Sequence, residues 1–345
     1  MLNWVGIDRP INNEGNFQKY KIKSLYDNIL TSQFQRNLDK FKPSDKVVIS
    51  IKVHGTSMIA ANILTKIPIR LSFGDTFMKK KMAKEMKRLK KWNPTRYHDK
   101  AKKNLMISNL KKKEIKEYKI DYDNVYSSRT VIKNKYINQH AQDGFYNSDI
   151  WGEYNELLKP YIPKGFTIYG EIYGYLTGSQ KMIQKDYDYG CQEGENAVMI
   201  YRITSTNEDR TKKELEAEDV HYWVKALLKN HPELIGKVIP LPILYNGTLQ
   251  DLYPDLDIRN DWQVNLLKRL SEDREHFGME ELEPLCKKKV PREGICIRKV
   301  NDPISECFKL KTLRFREREM KQIDAGEVDI EMADAYSAEA EETEE

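Results

Sequence analysis

Lys52 ends an apolar, β-branched run, Val47-Val48-Ile49-Ser50-Ile51, and is followed by Val53-His54-Gly55-Thr56-Ser57. The run reads as a strand and the glycine as a tight turn, so the sequence delivers an amine to a strand end. A lysine is a nitrogen nucleophile only where its neutral form exists near pH 7. Phosphates nearby hold the proton on, so a covalent lysine needs a metal ion or further cations beside it. Taken alone, a lysine before a His-Gly turn is usually a solvated strand-end residue.

Four further short motifs follow in order. Arg129 lies in Val125-Tyr126-Ser127-Ser128-Arg129-Thr130. Glu171 lies in Phe166-Thr167-Ile168-Tyr169-Gly170-Glu171-Ile172-Tyr173-Gly174. Glu293 opens Glu293-Gly294-Ile295-Cys296-Ile297-Arg298-Lys299, and Lys309 and Lys311 sit in Phe308-Lys309-Leu310-Lys311-Thr312. Each charge lies on or beside an alternating apolar run, which turns apolar residues to a core and charged ones to the opposite face. Lys309 and Lys311 therefore share one side of a strand. Each motif also has a plainer reading: a turn carboxylate for Glu171, an edge-strand polar face for the two lysines, a strand flank for Glu293.

The ordered set resembles the covalent nucleotidyltransferase superfamily of ATP-dependent ligases and capping enzymes. Lys52-Val53-His54-Gly55 is similar to its Lys-x-(Asp/His)-Gly motif, and the Ser128-Arg129, Tyr169 to Gly174, Met199 to Ile203, Glu293 to Ile295 and Lys309 to Lys311 segments resemble the motifs that follow. The likeness spans roughly residues 45 to 313. Its His-Gly-Thr turn is most similar to the nick-sealing and editing-type RNA ligases. The resemblance implies an α+β nucleotidyltransferase fold, ATP-grasp-like, of two antiparallel sheets flanked by helices. It implies that Lys52 attacks the α-phosphate of ATP and carries AMP, with His54 and Gly55 in the nucleotide site. By the same resemblance Arg129 contacts the ribose or a 5′-phosphate end, Glu171 the ribose hydroxyls, and Tyr201 stacks on adenine. Glu293 holds Mg2+ (or Mn2+), and Lys309 and Lys311 neutralise the α-phosphate. The physical logic agrees, because nucleotidyl transfer asks mainly for alignment and for cations where charge accumulates. Those cations are also expected to depress the pKa of Lys52.

The pattern is departed from in three places. Ile51 stands where the most similar RNA ligases carry an acidic residue. The interval from Lys52 to Arg129 is long, which makes residues of about 66–124 an insertion. Only a short Glu- and Ala-rich tail follows Lys311, too little for the five-stranded oligonucleotide-binding barrel of DNA ligases and capping enzymes. The expected organisation is thus a catalytic domain over 1–316, with an acidic helix and partly disordered tail over 317–345.

The formal net charge of +5 conceals an asymmetry. From Lys79 to Lys119 there are seventeen Lys or Arg against four acids, and from Glu317 to Glu345 twelve acids against two bases. Met78, Met82, Met86 and Leu89 recur at helical spacing before an Asn93-Pro94 break, which predicts a helical hairpin with one apolar stripe and a lysine-rich face. Lys79, Lys80, Lys81, Lys84 and Lys87 on it would give salt-dependent, sequence-independent nucleic-acid binding; a solvated helical face is the plainer reading. Trp92 and Tyr97 lie at the turn. The acidic tail is expected to fray beyond about Asp334.

No apolar stretch approaches the ~20 residues of a membrane span, and the start lacks a signal-peptide layout. The expectation is a soluble, cytoplasmic monomer without a membrane partner; a phage source would fit. Cys191, Cys286, Cys296 and Cys307 lack Cys-x-x-Cys spacing, and Cys296 and Cys307 are expected as reduced core residues. Strands are expected near 46–53, 57–64, 69–73, 166–173, 197–204, 294–300 and 307–313. Residues 17–30 and 34–41 are expected as a loop and short helices leading into the first strand, and helices are expected at 149–161, 219–230 and 257–270. The reading is an ATP-dependent RNA ligase acting on RNA or RNA-containing duplex ends. A minimal DNA nick ligase, a guanylylating enzyme and a nucleic-acid-binding protein with a degenerate centre are the alternatives.

Overall fold

The computed structural model describes residues 31–68, 71–112, 118–129, 132–133, 146–209, 211–301 and 303–326. The chain divides into two compact units, one of residues 1–63 with 122–345 and one of residues 64–121. Among the described residues, six helices have nine residues or more: α1 (Phe73–Lys91), α2 (Tyr97–Lys112), α3 (Ile150–Leu158), α4 (Ala217–Asn230), α5 (Trp262–Glu272) and α6 (Leu313–Asp324).

The larger unit is built on two sheets. The first runs β1 (Ser32–Gln33), β12 (Glu306–Lys311), β11 (Gly294–Lys299), β2 (Lys46–Lys52), β10 (Ile243–Thr248). Period-two alternation decides its faces. Val47, Ile49, Ile295, Ile297, Phe308 and Leu310 are buried on one side, where Trp262, Leu266 and Leu270 of α5 close a core with Phe34 and Phe41. The alternate residues of the same strands are left on the other face.

The second sheet runs β5 (Ile132–Lys133), β4 (Tyr118–Ser127), β3 (Thr56–Pro68), β6 (Phe166–Gly174), β7 (Asn196–Thr206), β8 (Lys212–Glu214), with β9 (Val238–Pro240) also beside β7. Its apolar face carries Met58, Ala60, Ile168, Ile172, Val198 and Ile200, packed with Trp151, Tyr154 and Leu158 of α3 and Val220, Val224 and Leu227 of α4. Asp149 caps α3 by accepting from Gly152 N at 2.9 Å, a standard use of a short polar side chain at a helix start. A third cluster, with Val53, Tyr173, Tyr187, Tyr189 and Phe315, lies where the ends of β2 and β6 meet α6.

Several expectations are corrected. The sheets are not wholly antiparallel, because β1 joins β12 and β9 joins β7 in parallel. Of the strand expected at 69–73, residues 69–70 lie outside the described residues and 71–73 are not strand: the Ser72 side chain accepts from Asp75 N at 3.1 Å, starting α1 at Phe73. The helix expected from 257 begins at Trp262, because Asp257 accepts from Arg259 N and from Asn260 and holds a turn there. The short helices expected within 34–41 are single 3₁₀ turns at 34–36 and 38–40. The segment 17–30 and the tail beyond Asp334 lie outside the described residues. No described helix is long and apolar enough to cross a membrane.

The smaller unit contains the hairpin of α1 and α2, broken at Asn93-Pro94 as the sequence predicts. Leu89 is buried and Met82, Met86 and Lys79 are half-buried, while Lys80, Lys81, Lys84 and Lys87 are exposed. The apolar stripe is incomplete, since Phe77 and Met78 are 63% and 50% exposed, and Tyr97 is 88% exposed.

Candidate active site

Register across the first sheet sets the site. Lys52 on β2 lies opposite Gly294 on β11, and Gly294 lies opposite Lys311 on β12. The next row on the same face is Ser50, Cys296, Lys309, and the one after it is Val48, Arg298, Cys307. The two lysines thus flank a residue without a side chain. Gly294 has φ of +141° and a Cβ there would strike the Leu310 carbonyl, so no other residue fits between them.

The second sheet contributes the facing wall. Glu171 on β6 lies between Ser57 on β3 and Met199 on β7. The register shifts at Gly170, leaving Tyr201 as the extra residue of a β-bulge, a device that re-aims a side chain. A Cβ on Gly170 would meet the Val198 side chain at 2.6 Å, so this position needs a glycine too. The turn after Lys52 is pinned from three sides: Gly55 N donates to Glu171 Oε1 at 3.2 Å, Gln184 donates to Gly55 O at 2.9 Å, and His54 N donates to the Tyr189 hydroxyl at 2.8 Å. The His54 ring stands edge-on to Tyr187 and Phe315.

All nine residues read from the sequence as a nucleotide site, Lys52, His54, Gly55, Arg129, Glu171, Tyr201, Glu293, Lys309 and Lys311, line one cleft of about 290 Å³. The five hairpin lysines do not line it. Sequence reading missed Gln184, Tyr189, Arg298 and Glu319. Arg298 was legible from parity, two residues after Cys296 on one strand face. Glu319 falls in the stretch expected as an acidic helix and tail from 317; the helix, α6, begins earlier, at Leu313, capped by Thr312. The cysteine reading is also corrected. Cys296 and Cys307 are free thiols, but strand parity puts them on the cleft face rather than in the core.

Glu293 is the electrostatic centre. Its side chain is 1% exposed and pairs with Lys52 Nζ at 2.8 Å, with Lys311 Nζ at 3.6 Å and with His54 Nδ1 at 3.7 Å. Burial pushes the carboxyl up, but Lys52, His54 and Lys311 overcome this and hold it below the usual range. Lys311 also pairs with Glu319 at 2.5 Å. Burial pulls the Lys52 ammonium down, and Glu293 and Glu171 more than offset it, so Lys52 sits above the ordinary lysine range. Among the protein's own groups Lys309 and Lys311 therefore do not depress Lys52, and the expected depression is left to the metal ion. The lysine held low is Lys309, by burial first and then by Lys52, Lys311 and Arg129. Among the described residues Lys309 makes no ion pair.

Glu293 Oε2 is buried and accepts no hydrogen bond. Its charge faces His54 Nδ1 at 3.7 Å, too far for a hydrogen bond, and a buried carboxylate oxygen without one is costly unless something binds there. It fits a hard divalent cation, which takes one or two carboxylates and keeps several waters. The cleft thus offers one amine paired to a carboxylate, further cations that include Arg129, Lys309 and Lys311, an oxygen for a metal ion, and an aromatic wall. That set suits a bound nucleotide whose phosphates meet the cations.

No protein-family profile matches the sequence, and no curated protein is detectably similar to it. Solved structures of an RNA ligase from Naegleria gruberi are among those with a partial likeness to this one. One with pyrophosphate gives a TM-score of 0.43 at 13% identity, covering 85% of this chain and 57% of that one. A lysine-to-alanine variant with ATP and manganese gives 0.40 at 13%, covering 84% and 57%. An arginine-to-alanine variant with the same ligands gives 0.40 at 13%, covering 85% and 58%. The chain spans rather more than half the length of the ligase it matches.

Proposed function

We propose that the cleft performs covalent nucleotidyl transfer through Lys52, and that the protein is an ATP-dependent RNA ligase. The observation that carries the reading is the row Lys52, Gly294, Lys311, with the buried Glu293 carboxylate between the two amines. It joins a nucleophile, a metal-type oxygen and phosphate-binding cations within one cleft.

In the first step the Lys52 amine attacks the α-phosphorus of ATP. The bond to the bridging oxygen breaks, pyrophosphate leaves, and a lysine–AMP phosphoramidate remains. Lys309 and Lys311 face the charge that grows on the α-phosphate. Glu293 would hold a divalent cation, which supplies Lewis-acid stabilisation of the phosphates and weakens the hold of Glu293 on the Lys52 proton. Glu171 is placed to accept from ribose hydroxyls, and the Tyr201 ring offers a stacking surface for the base. In the second step a 5′-phosphate oxygen of the nucleic acid attacks the same phosphorus and displaces the lysine. In the third a 3′-hydroxyl attacks the 5′-phosphorus and AMP leaves. RNA as the polynucleotide is supported by the His54-Gly55-Thr56 turn, and the hairpin lysines offer cations to its backbone.

The test is sealing of end-labelled, 5′-phosphorylated RNA with ATP and magnesium, as nicked duplex and as single strand, beside the equivalent DNA. The proposal predicts an adenylylated 5′ end and a joined product with RNA. Joining of DNA alone would reject the RNA assignment, and neither product from any substrate would reject ligation.

A further inference from the structure

The floor of the cleft carries an ion-pair group that the transfer chemistry does not use. Glu214, on β8 of the second sheet, accepts from Arg202 Nε at 2.9 Å and pairs with Arg298 at 3.2 Å. Arg202 belongs to β7 and Arg298 to β11, so one carboxylate holds a guanidinium from each sheet. The side chains of Glu214 and Arg202 are each 4% exposed and that of Arg298 11%. The other Glu214 oxygen accepts from Ser305 N at 2.8 Å. Arg202 also donates to Ser305 O at 3.1 Å, and Arg298 donates to the carbonyl of Tyr201 at 2.6 Å.

Both arginines line the cleft. Arg298 lies four residues beyond the Lys52 row along the strand face, roughly 13 Å at the rise of a strand. That is the far end from the reacting phosphorus, beside the Tyr201 bulge, where the base of a nucleotide joined to Lys52 would lie. A guanidinium is a rigid fork of donors and pairs well with the carbonyl oxygen and ring nitrogen of a 6-oxo purine. Held on Glu214, the two guanidinia have their donors directed to a carboxylate and to backbone carbonyls. The remaining polar atoms on this floor include Ser50 Oγ and the Cys296 and Cys307 sulfurs. The Cys307 thiol is held below its usual range by its hydrogen bond with the Cys296 thiol, with Arg298 and Arg202 acting the same way against burial. A sulfur here can accept from the amino group of a 6-amino purine.

The geometry points to Glu214 as a positioning residue for base selectivity: by occupying Arg202 and Arg298, it makes the cleft favour a 6-amino purine over a 6-oxo purine. This rests on the nucleotide-binding reading of the cleft above. It offers the cleft a means of reading adenine although Ile51 stands where similar RNA ligases carry an acid.

The test uses the full chain with magnesium and α-labelled ATP, GTP or ITP, reading initial rates of covalent labelling. Wild type is expected to favour ATP over both 6-oxo nucleotides. Glu214→Gln should lower the ATP:ITP and ATP:GTP ratios at least tenfold, with a rise in absolute labelling by ITP. Glu214→Gln combined with Arg298→Met should restore much of the preference for ATP, because the released fork is gone. If Glu214→Gln fails to fold, Glu214→Asp, which keeps the charge and shortens its reach, should move the ratios the same way. Unchanged ratios in a folded Glu214 variant, including a uniform loss of labelling, would overturn the inference while leaving the covalent reading intact. So would a wild type that prefers GTP. No label from any nucleotide would overturn both readings together.

Discussion

Lys52 stands charged and paired with Glu293, and its chemistry begins when that pairing is loosened. Two predictions belong here. Without nucleotide or metal, acylation of Lys52 by an amine-reactive ester, followed by peptide mass spectrometry, should be slow. Because the ammonium is held above the usual lysine range, the neutral fraction should rise tenfold per pH unit from 7 to 9 with no plateau; levelling off below pH 9 would contradict the assigned direction. Glu293→Gln removes the strongest attraction on that proton, leaving burial to dominate, so acylation at pH 8 should rise at least tenfold. The same variant should lose ATP labelling, since it also loses the oxygen suited to a metal. These residues were legible in the sequence only as an ordered set, through its resemblance to the covalent nucleotidyltransferases; each motif alone reads as an ordinary strand end or turn. Their charge balance was not: the pull of Glu293 on Lys52 depends on a 2.8 Å contact between strands far apart in sequence.

At the scale of elements, three strands in register do the positioning. Gly294→Ala places a methyl against the Leu310 carbonyl and forces β11 and β12 apart. We expect a loss of about 1–3 kcal/mol in chemical denaturation, with ATP labelling reduced more than the folded fraction accounts for. Normal labelling in folded protein would show that the Lys52 to Lys311 spacing is unimportant. Parity made the lysine faces readable beforehand, since Lys309 and Lys311 are two apart. It also contradicted the assignment of Cys296 and Cys307 to a core, as both alternate with Ile295, Ile297 and Phe308. The Tyr201 bulge could not be read that way, because an extra residue breaks the period of two. Nor could the role of α6, whose Phe315 is buried beside His54 while the helix as a whole is highly charged.

For the molecule as a whole, the cores described for the two sheets contain no residue of 64–121. Replacing 66–121 by a short turn between β3 and β4 should therefore leave the larger unit folded, with ATP labelling within threefold of the full chain. Changing Lys79, Lys80, Lys81, Lys84 and Lys87 to Gln in the full chain should weaken RNA binding and flatten its dependence on salt. Titrations at two ionic strengths would reveal this, and an unchanged salt slope would assign those lysines to a merely solvated face. The helical hairpin was legible from its charge run and the Asn93-Pro94 break. The sheet order was not, because β2 pairs with strands near 245 and 295 and such pairing leaves no mark on local sequence.

The most direct test of the central claim is incubation of wild type and Lys52→Ala with magnesium and α-labelled ATP, followed by denaturing electrophoresis and acid treatment. Wild type should carry a label that acid removes, as a phosphoramidate requires, and Lys52→Ala should carry none. Equal labelling of the two proteins, or no label on wild type first stripped of bound nucleotide, would contradict the account.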